Sequence, residues 1–394
     1  MTSTVDVLLD ISILATETRV RGIGRYLSEL ALALEETAAA SGVRMGFLEQ
    51  TPWLGVGVVD PSARAVIDRL LSSAEPVDRL NWAYRLRLGA ARTARAVGAR
   101  LLHLGFPSVT PLGDTGCPRL LTCHDLIPMR YPERYADFRE GWAAGRRALD
   151  RRRYGSAAHL IAISQATADD LMRLLGVPAS RITVVYNGVK LERWSAEPTA
   201  ADATLRSRYN LGERSLLVYA GDADWRKNAD GMLQALERAR RLSPQRDFAL
   251  AWVGKLSQER QEQVGALARE LGVSENVLLL GFVPDEDLGA LYRQAYATLF
   301  VSRAEGFGYP VLEAMACGSP VVTSNVSSLV EVAGDIATKV DPEDPAAIAQ
   351  AIVAVEQSSA ARAQRTVEGR AWVGRFSCER QAKETLAVYE RLLG

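Results

Sequence analysis

Two glutamates with seven residues between them, Glu305 and Glu313, bracket the turn Gly-Phe-Gly-Tyr-Pro in RAEGFGYPVLEAMACGSPVV (303–322). The apolar run 297–301 ends just before it, so the loop sits where a strand gives way to a helix. In open α/β sheets that carboxyl end is where ligands bind. Pro310 suits the first turn of a helix, where its missing N–H costs nothing. The amides of Phe307, Gly308 and Tyr309 would then point out of the helix start, an anion-binding arrangement. Gly306 and Gly308 let a ligand approach the backbone closely. Glu305, placed before these donors, can accept hydrogen bonds from a pair of sugar hydroxyls. Glu313, one turn into the helix, can do the same for a ribose diol, as the acidic residue of a dinucleotide fold does. The plainer alternative is that it only favours the positive end of the helix.

A second motif asks for the same ligand. After the apolar run 216–220 comes GDADWRKN (221–228), a strand-end loop with adjacent Arg226 and Lys227 leading into a helix. Two fixed cations there would stabilise the charge that develops as a diphosphate leaves. The chain has only five lysines, so Lys227 is more pointed than any arginine. Asp222 and Asp224 imitate a metal-binding Asp-x-Asp, but beside a cationic clamp they read as loop caps and no metal is expected. In the first half, LTCHDLIP (121–128) sets His124 and Asp125 after a strand. His103 and His159 have blander settings in or beside apolar strands. RVRGIGRY (19–26) places Gly22 and Gly24 before a clear helix, with the fuller Gly-x-Gly-x-x-Gly uncompleted, so a dinucleotide cofactor is not indicated.

These segments together resemble glycosyltransferase family 4, the large retaining group with the GT-B fold: two Rossmann-like domains whose parallel sheets face each other across a cleft. The likeness covers most of the chain and is strongest over 216–344. It implies that Glu305 binds donor-sugar hydroxyls and Glu313 the nucleotide ribose, with the amides of Phe307 and Gly308 under the sugar. It implies that Arg226, Lys227 and Asn228 hold the diphosphate, that Gly24 approaches it from the opposite side, and that His124 faces the sugar with Asp125 in support. GFVPDEDL (281–288) resembles the base-binding loop: backbone around Phe282 and Val283 would meet the nucleobase, and Asp285 would accept from guanine. The smaller matches ISQAT (163–167) and VYNGV (185–189) agree. Departures are Trp225 where a proline is common, Arg21 where a first glycine is common, and Lys190 in place of a frequent aspartate. Together HDLIP, GIGRY and RKN look most like mannosyltransferases that use GDP-mannose without a metal or other cofactor. Other donors (GDP-fucose, dTDP- or UDP-rhamnose, UDP-glucose) are the alternatives. A GT-B epimerase, a phosphorylase and a non-catalytic sugar-binding protein are the rival classes. Lys255 and Lys339 lack the setting of a pyridoxal lysine. The acceptor would be a glycan, a lipid-linked glycan or a small molecule.

The elements must deliver those loops. Apolar runs at 5–11, 45–48, 100–104, 120–123, 160–163 and 183–186, then at 216–220, 249–253, 277–281, 298–301 and 320–323, alternate with helical patterns. That order implies parallel sheets covered on both faces. The expected division is a first Rossmann-like domain over 1–190, a polar linker at 191–213, a nucleotide-sugar domain over 214–370, and a terminal helix over 371–394 capped by Ser377 that packs back toward the first domain. At 394 residues two domains fit comfortably. Balanced charge, 47 basic against 47 acidic residues, argues against nucleic-acid binding. The start of the sequence reads as a first strand rather than a leader peptide. Four cysteines without paired spacing suggest neither a zinc site nor a disulfide framework. A reduced, cytoplasmic protein is expected. One cluster, Arg139, Arg146, Arg147, Arg151, Arg152 and Arg153, reads as a solvated helix face or as a patch for an acidic acceptor or the inner membrane surface.

Overall fold

Short runs of Val, Leu and Ile form strands buried on both faces because helices cover each side of the sheets they join. The computed structural model describes residues 5–16, 19, 22–49, 57–72, 89–107, 114–135 and 140–394. The chain divides into two compact units, Met1–Gly188 with Phe376–Gly394, and Val189–Arg375.

In the first unit the strands are β1 (Val7–Asp10), β2 (Met45–Glu49), β3 (Val58–Asp60), β4 (Leu101–Leu104), β5 (Arg119–Cys123), β6 (His159–Ala162) and β7 (Ile182–Val184). They lie in the order β3-β2-β1-β4-β5-β6-β7, all parallel except β3, which runs antiparallel to β2. Asp10 pairs in register with both Leu48 and Leu104, so the neighbouring strands β2, β1 and β4 end within a residue of one another. The helix Gly22–Ser41 packs against the terminal helix Cys378–Leu393. Ser377 caps that helix by accepting from the Arg380 amide at 3.1 Å. Ala382, Leu386 and Tyr389 are its buried stripe. At its start the approach to Gly188 is so close that a Cβ there would lie 2.5 Å from the Cys378 Cα.

In the second unit the strands are β8 (Ser215–Ala220), β9 (Phe248–Val253), β10 (Val277–Gly281), β11 (Ala297–Phe300), β12 (Val321–Ser324) and β13 (Thr338–Val340). Their order, β10-β9-β8-β11-β12-β13, is entirely parallel and reverses between β8 and β11. Such a reversal opens a crevice at the carboxyl ends of those two strands. The loops 221–228 and 301–308 both start there.

Three segments differ from the sequence expectation. The edge strands β3 and β13 are three residues each, with Val58 and Thr338 exposed, and carry no apolar run that announces them. The expected linker is a packed part of the second unit. Thr199 and Asp202 form a capping box for the helix Ala200–Arg208, and Trp194 is buried at 2% exposure. Arg293 pairs with Asp202 at 2.6 Å, and Arg208 with Asp287 at 2.6 Å. Long-range ion pairs, invisible to local patterning, convert this polar stretch into structure.

Candidate active site

The loop 221–228 is built by backbone closure and capping. Tyr219 donates its hydroxyl to the Asp222 carbonyl at 2.7 Å, and the Asp222 carboxylate accepts from the Ala223 amide at 2.7 Å. Asp224 caps the short helix Trp225–Lys227 through the Arg226 amide at 2.9 Å and pairs with the Arg226 guanidinium at 2.5 Å. Both aspartates thus act as loop caps. Burial, with the carboxylates of Glu305, Asp224 and Asp222 close by, holds the Tyr219 phenol well above its ordinary range.

Asn228 corrects the sequence reading. It adopts a left-handed backbone (φ 59°) and is fully buried. Its amide nitrogen donates to the carbonyls of Val301 at 2.9 Å and Pro342 at 2.7 Å, while its oxygen caps the next helix at Gly231. The side chain is spent on backbone groups, so it positions the loop rather than binding a diphosphate.

The second loop is laced to the first. The Arg303 amide donates to the Arg226 carbonyl at 2.7 Å, and its guanidinium donates to the Trp225 carbonyl at 3.1 Å. The same guanidinium pairs with Asp230 at 2.8 Å and Glu343 at 2.7 Å, which raises its pKa further, Asp230 contributing most. Ser327, itself at φ 52°, accepts from the Glu305 amide at 3.1 Å. Ser328 donates to the carbonyls of Glu305 at 3.0 Å and Phe307 at 2.8 Å. Arg303, Ser327 and Ser328 carry no motif that assigns them a role in advance. The non-glycine left-handed residue is the one local sign that the backbone here is constrained.

These supports bring Lys227 and Glu305 together. The ammonium lies 2.6 Å from the carboxylate, with side chains 15% and 9% exposed, and sits over the Phe300 ring at 5.0 Å. Beyond Glu305 the helix Tyr309–Ala316 starts at Gly308, with Pro310 in its first turn as expected. Gly308 holds φ 118°, and a Cβ there would meet Leu329 Cδ2 at 2.6 Å. Gly306 is half-buried and Phe307 buried, its ring 5.2 Å from that of Tyr309. Glu313 is 2% exposed and receives the Tyr292 hydroxyl at 3.5 Å. At the edge strand β10, Gly281 turns the chain at φ 68°, leaving Phe282 77% exposed and Val283 buried. The Asp285 carboxylate is already paired with Arg193 at 3.0 Å, so a nucleobase would compete for it.

In the first unit, His124 follows β5 and is 8% exposed. Its Nε2 lies 2.8 Å from the Gly105 carbonyl. A carbonyl only accepts, so Nε2 carries the proton and Nδ1 presents a lone pair. Burial lowers its pKa to about 4, so the ring is neutral at pH 7 and cannot act as a resting cation. Asp125 accepts from the Ile127 amide at 3.0 Å and forms the turn into the short helix Ile127–Arg130. Gly22 and Gly24 lie inside the first turn of the Gly22–Ser41 helix rather than in a loop before it. Arg21 and Arg139 fall outside the described residues. In the arginine cluster, Arg151 and Arg152 are exposed, but Arg153 is 3% exposed and pairs with Asp150 at 2.7 Å. It therefore leaves the surface patch.

The family model "Glycosyl transferases group 1" matches residues 202–372, and "Glycosyltransferase Family 4" matches 20–193. The chain is 34% identical to O-antigen chain mannosyltransferase B of Escherichia coli, over 94% of this chain and 96% of that one. It belongs to the family 4 glycosyltransferases. A second relative, the serotype-specific mannosyltransferase WbdA of Escherichia coli, is 28% identical over 86% of this chain and 42% of its own length. Sucrose-phosphate synthase of Thermosynechococcus elongatus superposes with a TM-score of 0.74 at 21% identity, covering 98% of both chains. That likeness establishes the GT-B fold, as the two parallel sheets do.

Proposed function

We propose that this glycosyltransferase transfers mannose from GDP-mannose, with retention of configuration, to a hydroxyl of a growing glycan chain. The observation that carries the reading is the Lys227–Glu305 pair at the crevice between β8 and β11, flanked by a helix start. Lys227 and Arg226 take the diphosphate. Glu305, released from Lys227 as the phosphates arrive, accepts hydrogen bonds from the sugar. Glu313 exchanges the Tyr292 hydroxyl for the ribose diol, and the nucleobase lies against Phe282 and Val283. His124 receives a sugar hydroxyl on Nδ1. The acceptor oxygen bonds to the anomeric carbon as the bond to the β-phosphate breaks. The acceptor proton goes to that phosphate, so the protein supplies charge stabilisation rather than a base. No metal is assigned a role. The names of the two mannosyltransferases support mannose and a polysaccharide acceptor.

Thermal unfolding with a panel of nucleoside diphosphates, with and without EDTA, tests this, because a ligand bound only to the folded state raises the midpoint by mass action. The reading expects GDP to stabilise most and EDTA to change nothing. Stabilisation by UDP or dTDP instead would overturn the donor. Binding that needs a divalent ion would overturn the clamp. The anomeric configuration of the product, read by NMR, tests retention.

A further inference from the structure

The sheet face under the Gly22–Ser41 and Cys378–Leu393 helices carries a string of buried polar groups where an apolar core is the ordinary solution. Tyr389, on the terminal helix, sets its hydroxyl 2.6 Å from Nδ1 of His103. His103 Nε2 lies 2.9 Å from Thr122 Oγ1, and the Tyr26 hydroxyl lies 2.9 Å from the same oxygen. All four residues are at most 1% exposed. Each buried hydroxyl or ring nitrogen costs free energy unless it is paired, and here every one is.

The string reaches the proposed site. His103 lies on β4 with Leu120 as its register partner on β5, so Thr122, two residues on and on the same face, stands diagonally ahead of it. Gly105 and His124 are the residues that follow the ends of these two strands. Two contacts join these segments: His103 Nε2 to Thr122 Oγ1, and His124 Nε2 to the Gly105 carbonyl. Tyr26 bridges them: its hydroxyl meets Thr122, and its ring meets the His124 ring edge-on, 4.9 Å between centroids at 87°. Gly105 permits this approach, since a Cβ there would lie 2.2 Å from Leu27 Cδ2 on the same helix.

We propose that Tyr389, His103, Thr122 and Tyr26 are positioning residues for His124, through which the terminal helix fixes the orientation of its imidazole. The hydroxyl contact anchors the far end of the Tyr26 ring at Thr122, and the Tyr26 ring edge with the Gly105 carbonyl then holds the His124 ring in one orientation. His103 is buried and its pKa is lowered to about 3, so it stays neutral and serves as a two-ended hydrogen-bonding link. The consequence for activity rests on the role assigned to His124 above.

The test uses the full chain labelled with ¹⁵N-histidine, three residues in all, and GDP release from GDP-mannose. Tyr26→Phe and Tyr389→Phe each delete one hydroxyl and keep the ring. Both are expected to replace the single Nε2–H form of His124 by an averaged signal. Each should lower kcat about 10-fold with the donor KM unchanged, a misplacement effect. Adding Tyr389→Phe to His124→Ala should lower kcat no further. Phe variants that keep both the wild-type His124 spectrum and kcat, losing only thermal stability, would overturn the proposal. If His124→Ala itself keeps full activity, the role of His124 fails instead, and the spectra still decide whether the string holds the ring.

Discussion

Replacing Lys227 by alanine separates the two jobs of that side chain. In the ligand-free protein it neutralises Glu305 at 2.6 Å, with the two side chains 15% and 9% exposed. Removing one partner of a fully buried pair costs 3–5 kcal/mol, so this slightly exposed pair should lose about 2–3 kcal/mol. A domain of this size shifts by roughly 2–4 °C per kcal/mol, which places the midpoint of Lys227→Ala about 5–10 °C lower. Loss of a fixed donor to a developing negative charge costs on the order of 10²–10³ in kcat, about 3–4 kcal/mol in the transition state and so comparable to or somewhat larger than the loss of stability. The double variant Lys227→Ala with Glu305→Gln removes the stranded carboxylate. It should recover most of the midpoint and none of the rate. The assay is GDP release from saturating GDP-mannose beside a thermal scan of each protein. A near-wild-type rate for Lys227→Ala sinks the clamp. Recovered rate in the double variant would mean that Lys227 serves only to neutralise Glu305.

The remaining predictions follow from supports around that pair and from the histidines. Arg303→Ala cuts the contact to the Trp225 carbonyl and the pairs with Asp230 and Glu343. With those carboxylates 51% and 63% exposed, the stability loss should be small, about 1–2 kcal/mol, while the donor KM rises; steady-state kinetics with an unchanged KM would deny it a positioning role. Gly308→Ala forces a side chain into φ 118° against Leu329. Strain of about 1–3 kcal/mol is expected, with weaker GDP binding by calorimetry. Burial lowers the pKa of His103 to about 3 and of His124 and His159 to about 4. Unfolded histidines titrate near 6.5, so between pH 7 and 5 the unfolded chain takes up protons that the folded chain refuses. Stability should therefore fall with pH, by about 2 kcal/mol per histidine over that interval. The buried Asp10 carboxyl, its pKa raised by desolvation, works in the opposite sense. Urea midpoints at the two pH values check this, and equal midpoints would contradict the burial of all three rings.

What the sequence made legible was whatever local chemistry declares. Runs such as VLLD and ATLF announce buried parallel strands, and Pro310 after two glycines announces a helix start over a ligand loop. Glu305 and Lys227 could be assigned to one donor site in advance because both follow strands in an alternating α/β order. Their direct ion pair shows only in the fold, where the reversal between β8 and β11 makes the two loops neighbours. What stayed hidden depends on partners far along the chain. Asn228 looks like a diphosphate ligand from its neighbours Arg226 and Lys227. Its contacts are carbonyls 73 and 114 residues away, and only those distances reveal a brace. The stretch 191–213 reads as a linker because Asp202 and Arg208 find Arg293 and Asp287 some 80–90 residues on. His103 reads as a bland core residue for the same reason, its Nδ1 partner Tyr389 lying 286 positions later. The division is physical. Residues that meet a ligand must carry the chemistry of that ligand in a short loop, whereas residues that hold such a loop in place can come from anywhere the fold brings close. Substitutions at Asn228, Arg303 and Tyr389 should therefore alter catalysis through geometry, and conservative replacements that keep the ligand-facing groups intact are the ones that expose it.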